Sequence, residues 1–135
     1  MFYEVNSVVT RMNQDGFDKE YKEKFFIENC EFFAEAEVKM LEYYNNENSV
    51  TAIKQSKVRE FVNQRSNDDE HIYIATIEDI FIDEDSGEEK RTKYEVGLFA
   101  KNVNDATRLT NEYLRQGMND FELVKVSKTK FLDII

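Results

Sequence analysis

Apolar and polar residues alternate from the start of the chain. Tyr3, Val5, Ser7 and Val9 share one side of residues 2–12, and Glu4 and Asn6 the other, which is the period of a half-buried strand; Val8 breaks the alternation. Asn13-Gln14-Asp15-Gly16 reads as a tight turn, because Asp-Gly supplies the positive φ that hairpins need. Residues 19–28 return with Tyr21, Phe25 and Ile27 inward and Phe26 on the opposite face. The period then changes. Phe33, Ala36, Met40 and Tyr43 or Tyr44 recur at three- and four-residue spacing, so residues 33–45 are expected to form a helix with one buried stripe. After the polar loop Asn45–Ser49, residues 50–62 read as a third strand of mixed phase.

The same succession follows the polar stretch 63–70, expected to be an exposed joint between two halves. Residues 72–82 form the most apolar strand, with apolar side chains on both faces. Asp83–Gly87 turns it, and Tyr94, Val96, Leu98 and Ala100 bring it back with Lys93, Glu95 and Gly97 opposite. Asn102 is placed to cap a helix whose stripe is Val103, Ala106, Leu109 and Tyr113 and whose stop is Gly117. Residues 121–135 close the chain as a strand, but Lys128 and Lys130 share a face with Val124, Val126, Leu132 and Ile134. A bulge or bend near Ser127–Thr129 would resolve that conflict, and Ser56-Lys57 interrupts the first half in the same way. The helical run at Val103 lies 70 residues after that at Phe33, and Gly87 lies 71 after Gly16. The expected fold is therefore α+β: a tandem duplication of a strand–strand–helix–strand unit, mainly antiparallel, with repeats at about 2–62 and 71–135 in one domain with a shared core.

Composition adds limits. The 135 residues are 41% hydrophobic, with 11 Phe and 7 Tyr, which is enough for a core. The net charge of −10 disfavours a general nucleic-acid binder. Cys30 is the single cysteine, so no intramolecular disulfide forms. Met1-Phe2-Tyr3-Glu4 opens directly in the alternating run, without a leader pattern, and no run reaches membrane-spanning length; a cytoplasmic location is expected.

Candidate chemistry is sparse. The glycines do not group into a phosphate loop. His71 has no second histidine and no nearby cysteine to share a metal, and Cys30 has no activating base in sight. Asp83, Asp85 and Gly87 resemble a calcium loop by composition only, since the glycine falls at relative position 5 and Tyr94 stands where position 12 needs a glutamate. No catalytic residue, cofactor or metal is expected. Two charged features remain. Residues 68–89 hold ten acidic side chains and no Lys or Arg, with Asp83, Glu84 and Asp85 at the turn. Lys54, Lys57 and Arg59 correspond in sequence to Lys125, Lys128 and Lys130.

Tyr3-Glu4-Val5, Phe33-Ala34-Glu35-Ala36-Glu37, Ile53-Lys54 and the ending Val126–Ile135 together resemble an uncharacterised domain family of Bacteroides-type bacteria and their phages, over nearly the whole chain. That family usually has Ser-Phe-Thr-Glu-Ala-Glu where this chain has Glu31–Glu37, so the usual threonine cap is missing. The resemblance implies a phage or bacterial setting and carries no activity.

The function expected from these features is a non-enzymatic protein-binding or self-assembling module. Two alternatives stand beside it: an acidic inhibitor or nucleic-acid mimic acting through residues 68–89 on a host protein, and a nucleic-acid-binding accessory using the lysine-rich strands. A two-fold homodimer is expected, with Phe26 and Phe99 as outward rings paired across the interface; the counter-reading is a monomer whose halves consume both surfaces.

Overall fold

The computed structural model describes residues 1–117 and 119–135. It is an α+β protein of eight strands and two helices. In chain order these are β1 Tyr3–Met12, β2 Asp18–Ile27, α1 Phe33–Tyr43, β3 Asn48–Gln55, β4 Val58–Phe61, β5 His71–Ile82, β6 Glu89–Ala100, α2 Val103–Arg115, β7 Asp120–Lys128 and β8 Phe131–Ile134. The strands make two four-stranded sheets, β3-β1-β2-β8 and β4-β6-β5-β7.

Each expected third strand divides at its polar interruption. Residues 50–62 become the end of β3 and all of β4, parted at Ser56-Lys57, and residues 121–135 become β7 and β8, parted at Thr129-Lys130. The two breaks are built alike. The Ser56 amide donates to the Phe2 carbonyl at 2.8 Å, and the Thr129 amide and hydroxyl donate to the Ile72 carbonyl at 3.0 and 2.8 Å. After each break the chain changes sheets. β4 runs parallel to β6, and β8 runs parallel to β2, whereas the hairpin and third-strand pairings are antiparallel. Both sheets thus read third strand, first arm, second arm, borrowed strand.

Two compact units result. Unit 1 is residues 1–56 with 130–135, and unit 2 is residues 57–129. The polar stretch 63–70 lies inside unit 2 rather than between units, because β4 has already joined β6 before it begins. Nor is that stretch wholly exposed. The Glu70 carboxylate is buried and accepts from the Ser66 amide (2.6 Å), the Ser66 hydroxyl (2.9 Å) and the Asn67 amide (2.9 Å).

In unit 1, Val5, Phe25 and Ile27 pack with Ala36 and Met40 of α1; in unit 2, Ala75, Ile77, Val96 and Leu98 pack with Ala106 and Leu114 of α2. The apolar alternation of the hairpins sets those faces. The helices sit slightly rotated from the expected stripes. Phe33 and Tyr43 flank α1's contact line with half of each ring exposed. In α2 the buried line is Ala106, Thr110 and Leu114, while Val103 is exposed. Thr110 tolerates burial because its hydroxyl donates to the Ala106 carbonyl at 2.7 Å.

The helix starts differ as their sequences require. Asn102 caps α2 by accepting from the Asp105 amide at 2.8 Å. Phe32 occupies the same position before α1 in extended conformation and gives no side-chain cap. Gly16 and Gly87 take positive φ at the hairpin turns, as the Asp-Gly and Ser-Gly steps there demand.

Candidate interaction surfaces

Phe26 and Phe99 were expected on an outer face, but both are buried, at 0% and 2% exposure. The borrowed strands account for much of the cover. β8 lies along β2 and stacks Phe131 on Phe26 at 4.0 Å between ring centroids, with Phe2 edge-on at 6.5 Å. β4 lies along β6 and brings Phe61 to 6.0 Å from Phe99, and the Arg65 guanidinium sits 4.8 Å from the Phe99 ring. Asn63 completes the second arrangement. Its side chain donates to the Phe99 carbonyl at 2.9 Å and accepts from the Phe99 amide at 2.8 Å, imitating one more residue of strand. These rings are core and do not stand on an outer face of the chain.

The hairpins run past their cover. β3 pairs with β1 only through Val9, and β7 pairs with β5 only through Ile80. Beyond those points each hairpin is a two-stranded ribbon, which is marginal by itself. Large apolar side chains stand exposed there: Met12 at 71% and Phe17 at 71% in unit 1, Phe81 at 49% and Ile82 at 70% in unit 2. Met12 and Ile82 are each the last residue of the hairpin's first arm.

The acidic turn follows Ile82. Asp83 shapes it by accepting from the Asp85 and Ser86 amides at 2.9 and 3.1 Å. Those donors, chiefly the Ser86 and Asp85 amides and then Lys90 at 3.2 Å, hold the Asp83 carboxyl below the usual range. Glu84, Asp85 and Glu88 are exposed. The rest of the 68–89 run is less uniform than its sequence: Glu70 is committed to its loop, and Glu78 faces Arg91 at 3.1 Å and Lys93 at 3.7 Å.

The two basic triplets do not survive as such. Lys54 belongs to unit 1, where it lies 3.6 Å from Glu4, while Lys57 and Arg59 belong to unit 2. Lys125 and Lys128 belong to unit 2, in register with Thr76 and Tyr73, and Lys130 belongs to unit 1. The structural counterpart of Lys57 is Lys130 rather than Lys128, since each immediately precedes a borrowed strand.

That correspondence exposes a feature the sequence reading missed. Each unit has a groove of about 500 Å³ beside its borrowed strand. In unit 1 it is lined by Asn6, Lys22, Lys24 and Lys130, with Glu23 (roughly 510 Å³). In unit 2 it is lined by Lys57, Arg59, Thr76 and Lys93, with Glu95 (roughly 500 Å³). The register matches: Asn6 pairs with Lys24 as Thr76 pairs with Glu95, and Lys22 and Lys93 stand two residues earlier on β2 and β6. Val5 and Phe25, like Ala75 and Val96, point to the helix-covered side, so these pairs lie on the face of each sheet away from its helix. The Arg59 guanidinium lies 3.9 Å from the centre of the Tyr94 ring. Burial, with Asp79 nearby, raises the Tyr94 hydroxyl above its ordinary pKa, so it stays neutral. Lys22 and Lys93 are 71 residues apart, the spacing of the hairpin turns, and that was the available signal.

Cys30 is buried in the unit 1 core with its thiol directed at the Glu28 carbonyl, and His71 is exposed at the start of β5. Among the described residues no three metal-ligating side chains group together, and no helix is long and apolar enough to cross a membrane.

No curated protein and no solved structure matches the chain. A family model described as a domain of unknown function, DUF4494, matches residues 1–135, and the chain belongs to that family.

Proposed function

We propose that this chain is a non-catalytic protein-binding module that associates with copies of itself, in a Bacteroides-type bacterium or one of its phages. One observation carries the reading: both hairpins extend beyond their third strand and end in exposed apolar side chains, Met12 and Phe17 in one, Phe81 and Ile82 in the other. Large apolar side chains on a two-stranded ribbon gain by being covered, and each fully buried one contributes roughly 1.5–3 kcal/mol. The dimer expected from Phe26 and Phe99 is replaced by contacts through these ends.

Light scattering over a dilution series tests this. The expected result is a mass above 16.0 kDa that falls towards it on dilution. Ile82→Asp with Met12→Asp is expected to hold the protein at monomer mass with its circular dichroism unchanged. A constant monomer mass for the natural chain at every concentration defeats the self-association reading.

The exposed carboxylates Glu84, Asp85 and Glu88 favour a second reading, an acidic inhibitor seated in a basic cleft of a host protein. A pull-down from host lysate separates the two: a stoichiometric foreign partner lost on Glu84→Lys with Asp85→Lys supports the inhibitor.

A further inference from the structure

We infer that the two matching cationic grooves are sockets for the acidic hairpin turn of a second copy of this chain. The inference rests on the self-association reading above and names the surfaces that meet. Each groove presents three cations against one carboxylate in a chain of net charge −10: Lys22, Lys24 and Lys130 with Glu23, and Lys57, Arg59 and Lys93 with Glu95. Part of this charge is already engaged. Arg11 meets Glu23, Glu78 lies 3.7 Å from Lys93, and Lys24 stands over the Phe131 ring at 5.8 Å. Lys57 and Lys130 line the grooves and are exposed, each immediately before a borrowed strand. A net positive hollow in a strongly negative molecule selects an anionic segment by charge complementarity.

The turn Asp83–Glu89 supplies one. It holds five carboxylates in seven residues at the end of a ribbon, next to the exposed Phe81 and Ile82. Its shape is set in advance by the Asp83 side chain, which limits the ordering cost of docking. It does not reach the groove of its own unit. Glu89 and Lys93 are four residues apart on the same extended strand, a separation of about 13 Å that the strand holds open. The turn that fills a groove in unit 2 therefore comes from another molecule. Such a contact is heterologous, joining one surface of a copy to a different surface of the next.

Charge reversal with complementation tests this. One variant carries Lys57→Glu, Lys93→Glu, Lys22→Glu and Lys130→Glu; the other carries Glu84→Lys and Asp85→Lys. All these side chains are exposed, and circular dichroism verifies folding. Sedimentation velocity is run at low and high salt on each variant and on their mixture. Self-association of the natural chain is expected to weaken with salt, each variant alone is expected to associate at least about tenfold more weakly, and the mixture is expected to recover a complex containing both. Should the groove variant lose its fold, Lys57→Gln with Lys130→Gln is the milder version, expected to show a smaller loss in the same direction. Association that ignores salt and both variants overturns the socket assignment while leaving self-association through the apolar ends intact. A natural chain that stays monomeric at low salt overturns both. Tight binding of a single-stranded oligonucleotide, abolished by the groove variant and untouched by the turn variant, overturns the assignment in favour of a nucleic-acid ligand.

Discussion

At the residue scale, two polar side chains hold irregular backbone in place inside unit 2. Asn63 answers both backbone groups of Phe99, a buried residue at the sheet edge beyond β4. Asn63→Ala leaves that donor and acceptor without these partners, and the expected loss is about 1–3 kcal/mol in chemical denaturation. Glu70 does comparable work for the 63–70 loop. The Ser66 and Asn67 amides, and after them the Ser66 hydroxyl, hold its carboxyl below the usual range against the opposing effect of burial. A carboxyl whose folded pKa is depressed stabilises above the unfolded value, near 4.3, and that stabilisation is lost as pH falls through the folded value. Glu70→Gln is therefore expected to be less stable than the natural chain at neutral pH, with the gap closing below about pH 4.3. Melting curves from neutral to acid pH check this; a gap that widens in acid contradicts it.

At the element scale, the two helices contrast in how they begin. α2 has Asn102 as a working cap, and Arg108 joins Asp105 at 2.7 Å to Glu112 at 3.0 Å on its exposed face. α1 has Phe32 at the capping position, exposed and with extended backbone angles that suit a cap. Phe32→Asp is expected to stabilise by about 1 kcal/mol, through a side-chain bond to a first-turn amide and a favourable interaction with the helix dipole. Thermal unfolding measures it, and an unchanged or lower midpoint counts against an uncapped α1. The absence of the threonine cap in the sequence is thus visible as a missing hydrogen bond. Gly97 leaves room for a neighbouring ring: a Cβ there would lie 2.5 Å from the Phe61 ring, so a larger residue would have to push that ring aside.

At the scale of the whole molecule, the chain exchanges its last short strands. Unit 1 lacks a strand without residues 130–135, and unit 2 lacks one without β4. Fragments 1–66 and 67–135 each carry a strand belonging to the other's sheet. Separately, each is expected to lack cooperative unfolding, because the β2 or β6 edge and the buried Phe26 or Phe99 lose their cover. Refolded together, they are expected to form one complex at unit stoichiometry. Size-exclusion chromatography with circular dichroism distinguishes this from two autonomous halves, each of which would melt cooperatively alone.

The sequence by itself determined the elements and their order. Alternation placed the hairpin faces, three- and four-residue spacing placed the helices, Asp-Gly and Ser-Gly placed the turns, and the polar steps at Ser56-Lys57 and Ser127–Thr129 marked an interruption, read as a bulge or bend, where the structure divides each long strand in two. These are local properties, decided by backbone geometry and by which side chains repeat on one face. Tertiary structure decided what followed each break. Nothing in Val58–Phe61 or Phe131–Ile134 states that these strands leave their own hairpins, because a four-residue strand pairs with any edge of suitable register, and the choice depends on distant partners. That choice buried Phe26 and Phe99, which alternation alone sends outward. It also split the lysine triplets and set Lys57 and Lys130 beside Lys93 and Lys22. The grooves were illegible for the same reason: each is assembled from strands distant in sequence, and only the pairing of β4 with β6 and of β8 with β2 brings its cations together.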